Sequence, residues 1–233
     1  GISRALMRLT KLEQLFIANS PITADNFFID VDETSPYYEE QESWSWGNFE
    51  FLMDVEIYNC RDLERLPLDM LTKLPKMQSL NVAMNYSISG EQLKSDWEAI
   101  IDGESGDEIQ ILYLSFNNLK ETPSHEYLKR MVKMGYLDCI STQLEKVHSF
   151  GKEISPTSIL LDNNKIHTIT LGDDGYFCGL SQMETFSCAN NCLTKLPDLF
   201  SARSIYTMLT ADFSSNEISE LENGDAWRGI NAG

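Results

Sequence analysis

One hydrophobic pattern, LxxLxLxxNxL with any apolar residue at the L positions, occurs eight times in this chain. The clearest copy comprises Ile109, Leu112, Leu114, Asn117 and Leu119. The first unit is 40 residues long and the later ones recur every 22 to 32 residues; the units begin at Leu12, Leu52, Met77, Ile109, Met134, Pro156, Met183 and Met208. Each unit has one apolar face that only its neighbours can cover, so the pattern predicts a solenoid.

The alternation inside each unit predicts the layers of this solenoid. In the segment xLxLx the two apolar residues point inward and the others point outward, as in a short strand. The Asn that follows can satisfy backbone groups in the buried turn. Residues 89–102, with Ser89 as a cap, and residues 123–137 have helical spacing. We therefore predict one α/β domain over residues 1–233, with a parallel concave sheet of about eight strands and a convex side of helices and turns.

The charge balance limits the kinds of partner. The chain has 36 acidic and 18 basic residues and a net charge of -18, which argues against nucleic acid as a partner because a phosphate backbone requires a basic surface. No apolar run approaches the ~20 residues of a membrane span. The sequence predicts no transmembrane segment in this chain.

An irregular insertion at residues 24–50 interrupts the first unit. Between Lys11 and Arg61 there are eleven acidic residues and no basic one, and aromatic residues are frequent. Insertions in solenoids map to loops on one face, often the binding face. Asp30, Asp32 and Thr34 have the spacing of a calcium loop, but Ser35 stands where that motif needs Gly. Calcium binding by this segment therefore stays an open alternative.

The sequence gives little support to catalysis. The three histidines fall in different units, and the HEYLK segment has Lys129 where a zinc protease helix needs a second His. We expect neither a catalytic site nor a cofactor. The five cysteines follow the repeat, which favours buried reduced thiols; a Cys188–Cys192 disulfide and a reactive Cys178 are the alternatives.

The repeats place this chain among the leucine-rich repeat proteins. More narrowly, VEIYNCRDLERLP, LPKMQSLNVAMN, ISGEQLKSDW and ILYLSFNNL resemble repeats of secreted or surface leucine-rich repeat proteins of gut anaerobic bacteria. That resemblance implies an extracytoplasmic, arc-shaped binding scaffold. The opening ISRALMRLTKL looks like the convex half of a preceding unit, and the closing GDAWRGINAG does not look like a polar cap. We therefore expect this chain to be an excerpt of a longer one.

The outward strand positions predict the binding surface. Aromatic residues and Met cluster there in units two to five, with carboxylates around them that favour a basic partner. The predicted site for a protein or peptide, on the concave face, comprises Asp54, Glu56, Tyr58, Met84, Tyr113, Phe116, Tyr136 and Asp138. In this hypothesis Met84 and Phe116 share an outward column with Tyr58.

Two other functions remain open at this point. One is glycan binding at the bacterial cell surface, in which the insertion provides stacking platforms at Tyr37, Tyr38, Trp44 and Trp46. Burial of the two tryptophans would remove that site. The other is an enzyme whose catalytic domain lies outside this sequence.

Overall fold

A parallel sheet of eight strands runs through the protein, with neighbours in chain order. The computed structural model describes residues 1–173, 175–196, 199 and 207–221; the sequence GDAWRGINAG lies outside them. Each predicted unit contributes one strand: β1 Gln14–Ala18, β2 Asp54–Tyr58, β3 Ser79–Asn81, β4 Ile111–Tyr113, β5 Tyr136–Asp138, β6 Ser158–Leu160, β7 Thr185–Ser187 and β8 Thr210–Asp212.

The register of the sheet follows the repeat. The first inward residue of every unit lies in one row across the sheet: Leu15, Val55, Leu80, Leu112, Leu137, Ile159, Phe186 and Ala211. Through unit seven these residues are at most 9% exposed. Because side chains alternate along a strand, the residues between the inward ones all face the opposite, concave side. The predicted fold class and strand positions are confirmed.

The buried asparagines tie each turn to its neighbour. Asn85 Nδ2 donates to the carbonyls of Ile57 and Val82 at 2.7 and 2.9 Å, and its Oδ1 accepts from the Cys60 amide. The backbone amide of Asn85 in turn donates to Asn117 Oδ1 at 2.8 Å. The amide side chain therefore satisfies donors and acceptors from two units at once, as its chemistry allows. Comparable bonds are made by Asn164, Asn191 and Asn216.

Three units have another residue at this position and satisfy the turn differently. Thr142 Oγ1 donates to the Cys139 carbonyl at 2.9 Å, and the Cys60 thiol lies 3.8 Å from the Ile17 carbonyl. Ser20 Oγ donates to the Ala18 carbonyl at 3.0 Å. A hydroxyl or thiol thus replaces one donor of the amide, as the sequence requires.

The convex side consists of short helices and turns. Its α-helices are α1 Leu68–Leu71, α2 Gly90–Asp102 and α3 His125–Leu128. Ser89 Oγ accepts from the Gln92 amide, so the predicted cap of α2 is confirmed. Helix α3 is much shorter than the predicted 123–137, because the chain must return to the sheet and begin β5 at Tyr136.

Pairs of two-residue strands and short 3-10 helices complete the architecture. The strand pairs are all parallel and comprise Ile2–Ser3 with Phe28–Ile29, Lys146–Val147 with Thr168–Ile169, and Lys195–Leu196 with Glu220–Leu221. The 3-10 helices are Arg4–Arg8, Gln41–Ser43 and Trp46–Asn48.

The acidic insertion packs against the N-terminal segment and the return segment of unit two. Its carboxylates Asp30, Glu40 and Asp25 pair with Arg4, Arg8 and Arg65 at 3.0 to 3.6 Å. These partners precede β1 or follow β2 and so belong to the convex half of their units. The insertion thus contributes to the convex half through these ion pairs.

All five cysteines are free thiols, and four of them are buried. Burial raises the pKa of Cys178 and Cys188 to about 12, so both are protonated at neutral pH and are poor nucleophiles. The structure therefore favours the prediction of packed, reduced thiols over a Cys188–Cys192 disulfide or a reactive Cys178.

Candidate concave binding site

The register places most of the predicted binding residues on adjoining strands. Glu56 on β2 is followed in the central row of the concave face by Asn81, Tyr113 and Asp138 on β3, β4 and β5. One row away, Asp54, Ser79, Ile111 and Tyr136 lie beside one another. Parallel strands are spaced about 4.8 Å apart, so this surface is continuous over units two to five.

An aromatic pair occupies the middle of this surface. The rings of Tyr113 and Tyr136 lie 5.2 Å apart, centroid to centroid, with an interplanar angle of 48°. Both side chains are partly exposed. Burial, followed by the charge of Asp138 and the proximity of Tyr113, raises the pKa of Tyr136, so its hydroxyl is a neutral donor beside a carboxylate. The pair offers an apolar surface with polar edges, as is typical of interface anchors.

The charges around the aromatic pair have one sign. Each unit has three outward positions, which lie in the rows of Asp54, Glu56 and Tyr58. These 24 positions, all among the described residues, contain no Lys, Arg or His. They contain five carboxylates: Asp54, Glu56, Asp138, Asp162 and Asp212. A concave surface of one sign concentrates its field and attracts a cationic partner.

Several carboxylates are also fixed by local hydrogen bonds. Asp138 Oδ1 accepts from the Ile140 amide at 3.0 Å. Asp162 Oδ1 accepts from Ser187 Oγ at 2.5 Å and from the Ala189 amide at 2.7 Å, across to the next unit. Because these side chains are already oriented, they lose less conformational entropy when a cation binds.

Glu56 carries an electrostatic cost that a cation would relieve. Burial and the neighbouring Asp54 raise the pKa of Glu56, while a hydrogen bond from Asn81 lowers it. A carboxyl whose pKa is raised on folding favours the folded state below its unfolded pKa, and this advantage is lost as pH rises through the folded pKa.

We expect Glu56→Gln to raise Tm at pH 7 by no more than about 2 °C and to have a smaller effect at pH 4. The substitution removes the repulsion and the desolvation cost of the ionised carboxylate. That ionised form is populated only above the raised pKa. Thermal unfolding at the two pH values measures this. Glu13→Gln, which removes an exposed carboxylate next to β1, is the matched control; an equal pH dependence in both variants would contradict the assignment.

Met84 and Phe116 lie one residue beyond the predicted column. The row of Tyr58 continues with Ala83 and Ser115, because Asp54 pairs with Ser79 and Ser79 with Ile111. Met84 and Phe116 occupy the next position, at the turn before the ladder Asn, where the backbone has positive φ angles of 61° and 59°. They line the edge of the concave face rather than its centre, because the turn begins within the residues that follow each short strand.

The alternative site in the insertion loses its main platform. Trp46 is only 3% exposed and its ring lies 4.8 Å from that of Phe28 and 5.3 Å from that of Phe49. Trp44 is partly buried against the same core. Tyr37 and Tyr38 are 37% and 39% exposed, and the Arg8 guanidinium lies 3.7 Å from the Tyr37 ring centre. The structure thus places Trp46 in core packing and leaves Trp44 partly exposed.

The groups considered for catalysis or metal binding are engaged elsewhere. His148 Nε2 lies 2.6 Å from Glu121 Oε1, and that contact helps to lower the pKa of Glu121 to about 2. Asp32 Oδ1 accepts from the amide and hydroxyl of Thr34, and Asp30 pairs with Arg4. Within the described ranges no three His, Cys, Asp or Glu residues are grouped as a metal ion would require.

Two concave residues were absent from the predicted site. Phe16, in the central row on β1, is 55% exposed. Ser115, between Tyr113 and Phe116 in sequence, is buried, and its hydroxyl has no hydrogen-bond partner in the part of the chain that the structure describes. The period-two alternation identifies both as outward, but their burial and partners depend on neighbouring units.

The comparisons with known proteins agree with this geometry. A leucine-rich repeat protein from Bacteroides eggerthii DSM 20697 superimposes with a TM-score of 0.84 and 43% identity over 93% of this chain. This chain is a leucine-rich repeat protein. A second leucine-rich repeat protein, from Bacteroides thetaiotaomicron VPI-5482, matches all of the chain with a TM-score of 0.83 and 40% identity. The leucine-rich repeat fold is commonly used for protein–protein binding.

This leucine-rich repeat chain covers only part of the length of the proteins that it matches. It spans 35% and 27% of the two Bacteroides structures. Bovine lumican is 28% identical over 113 residues, which is 48% of this chain and 32% of lumican. No protein-family model matches the sequence. In the ranges described, none of the helices has the length and apolar content needed to cross a bilayer.

Proposed function

We propose that this leucine-rich repeat protein is a noncatalytic scaffold that binds a basic protein or peptide segment on its concave face. The observation that carries the proposal is the combination of five carboxylates without a basic residue at 24 outward positions, all of them described, with the Tyr113–Tyr136 pair at their centre. Aromatic anchors supply affinity, and complementary charge supplies rate and specificity.

The rigidity of the scaffold supports this function. The strands share a continuous backbone ladder, and the buried asparagines fix the turns between them. A preformed surface loses little conformational entropy on association. Leucine-rich repeat proteins are typically noncatalytic binding scaffolds, which supports the proposal. Resemblance to secreted or surface proteins supports an extracytoplasmic location.

The proposal is tested with a defined set of labelled peptides. Twelve-residue peptides in a Gly/Ser background, with two lysines or with two glutamates, are titrated by fluorescence polarisation. We expect the lysine peptides to bind and the glutamate peptides not to, and the affinity to fall as salt rises because exposed charges are screened. A parallel glycan array covers the second candidate function; glycan binding without lysine-peptide binding would overturn the proposal.

We expect Tyr113→Ala with Tyr136→Ala to weaken lysine-peptide binding about tenfold or more, since anchors of this type contribute at least ~1.4 kcal/mol. Both side chains are partly exposed, so Tm should fall by only a few degrees. The matched control is Tyr37→Ala with Tyr38→Ala, which removes two exposed tyrosines from the insertion. Equal loss of affinity in the two double variants would remove the concave site.

A further inference from the structure

The position before the ladder Asn has the same unusual backbone conformation in every unit. All eight residues there have φ between 53° and 61°: Asn19, Asn59, Met84, Phe116, Ser141, Asn163, Asn190 and Ser215. We call this row the turn ridge. Its residues donate from their backbone amides to the next unit, as in Met84 to Ser115 and Phe116 to Ile140, both at 2.9 Å.

Four of the eight ridge positions are Asn, which this conformation favours, and two more are Ser, which is small and polar. A left-handed backbone is strained for most L residues, and Asn tolerates it best because its short polar side chain bonds locally. Asn59 Nδ2 donates to Asn19 Oδ1 at 2.5 Å, and Asn190 Nδ2 donates to Asn163 Oδ1 at 2.8 Å. Local physics therefore selects small polar residues for the ridge.

Met84 and Phe116 are the two exceptions, and they are adjacent. Both are bulky and apolar, and Phe116 is 41% exposed, so core burial does not compensate for its strained backbone. The conformation belongs to the repeat, but bulky apolar residues in it are uncommon, and backbone strain of this kind clusters at functional sites. The two residues occur in units three and four, beside the Tyr113–Tyr136 pair.

A buried hydroxyl provides a second, independent observation at this place. Ser115 lies between Tyr113 and Phe116 on the outward side and is 4% exposed, and its hydroxyl lacks a partner among the described groups. Unsatisfied buried polar groups are uncommon in proteins and call for an explanation. The hydroxyl oxygen is closed off from solvent, so it marks an incompletely satisfied turn beside Phe116 and not a group that a bound polypeptide reaches in this conformation.

We infer that Met84 and Phe116 form an apolar subsite on the turn ridge, which takes an apolar side chain next to the lysine or arginine of a bound polypeptide. This inference rests on the proposed function and specifies the partner further. Glu56 and Asp54 lie on the strand before Met84, and Asp138 lies on the strand after Tyr113. Carboxylates therefore lie on the strands on either side of the subsite, about 4.8 Å away across the sheet and three to five residues, roughly 10 to 16 Å, back along the strands.

The test compares peptides and ridge variants in a cycle. The lysine peptide is prepared with Phe or with Ser beside its lysines, and each is titrated against the wild-type protein and against Met84→Asn with Phe116→Asn. We expect the Phe peptide to bind the wild type at least about tenfold more tightly than the Ser peptide. In the double variant this preference should disappear, whereas the preference for lysine over glutamate should remain.

The same variant tests the strain argument. Asn suits the left-handed turn better than Met or Phe, so Tm of the double variant should rise by about 2 to 4 °C. The control Leu9→Asn with Val132→Asn removes two exposed apolar side chains, 53% and 56% exposed, away from the ridge; it should keep the Phe preference. An unchanged or lowered Tm in the ridge variant would remove strain as evidence for function.

The outcomes separate this inference from the function on which it rests. A Phe preference that persists in the ridge variant, or that is absent from the wild type while lysine peptides still bind, overturns the subsite alone. Failure of all lysine peptides to bind overturns the proposed function as well. Loss of the Phe preference only in the ridge variant supports both.

Discussion

Replacement of Leu114 by Asp is expected to unfold the middle units of the solenoid. Leu114 is 1% exposed and its inward neighbours Val82 and Cys139 are fully buried. The substitution removes a buried apolar side chain and introduces a carboxylate that has no partner there, which costs more than about 4 kcal/mol. Domains are stable by only ~5–15 kcal/mol, so the loss should be visible as lower helix and sheet content by circular dichroism and as a lower Tm.

Tyr113→Asp is the control for this experiment. Tyr113 precedes Leu114 directly but points to the opposite, concave side, where it is partly exposed. The two substitutions introduce the same charge one residue apart, and only the inward one should unfold the protein. Similar melting of the two variants would show that the alternation of faces is misassigned.

The second large effect is expected for the asparagines of the turns. Asn85→Ala leaves the Cys60 amide and the Ile57 carbonyl without their side-chain partner and removes one of the two asparagine donors to the Val82 carbonyl. Because these groups are buried, the expected loss is roughly 2 to 4 kcal/mol, or about 5 to 15 °C in Tm. Asn117→Ala should have a similar effect, since Asn117 bonds the Asn85 amide and two carbonyls.

A double-mutant cycle distinguishes a coupled ladder from independent caps. The side chains of Asn85 and Asn117 both donate to the Val82 carbonyl, so each single variant leaves that carbonyl one donor and the double variant leaves it none. The double variant should therefore lose more than the sum of the single losses, by ~0.5 kcal/mol or more. Asn81→Ala is the control from the same unit: its side chain is partly exposed and accepts from the Ala83 amide, and its loss should stay below ~1 kcal/mol. Strict additivity of the pair would argue against a coupled ladder.

The inward residues illustrate what can be read from one chain. Leu80 and Leu112 are neighbours in the sheet because units with the same apolar pattern stack in register, and the repeat alone predicts that pairing. Helix α2 could also be predicted, since its apolar spacing and its cap at Ser89 are local. Both features depend on residues close together in sequence, or on the recurrence of one pattern, so no tertiary information is needed.

The candidate site was only partly predictable. The row of Glu56, Tyr113 and Asp138 follows from the alternation of faces. The displacement of Met84 and Phe116 to the turn ridge does not, because the end of each strand is set by hydrogen bonds between units rather than by the pattern. The burial of Trp46 does not follow from the sequence either. Aromatic residues in an acidic segment suit a stacking surface or a core, and only the packing of Trp46 against Phe28 and Phe49 distinguishes the two.

The sequence by itself determined the solenoid, its eight strands and the identity of its inward ladder, since a repeated apolar period leaves one way to bury every unit. Tertiary structure decided which side chains outside the ladder are buried and which are exposed. It buried Trp46 in the core, left Met84 partly exposed and exposed Phe116, both on the turn ridge. Those outcomes depend on contacts between distant residues, whose energies no local pattern contains.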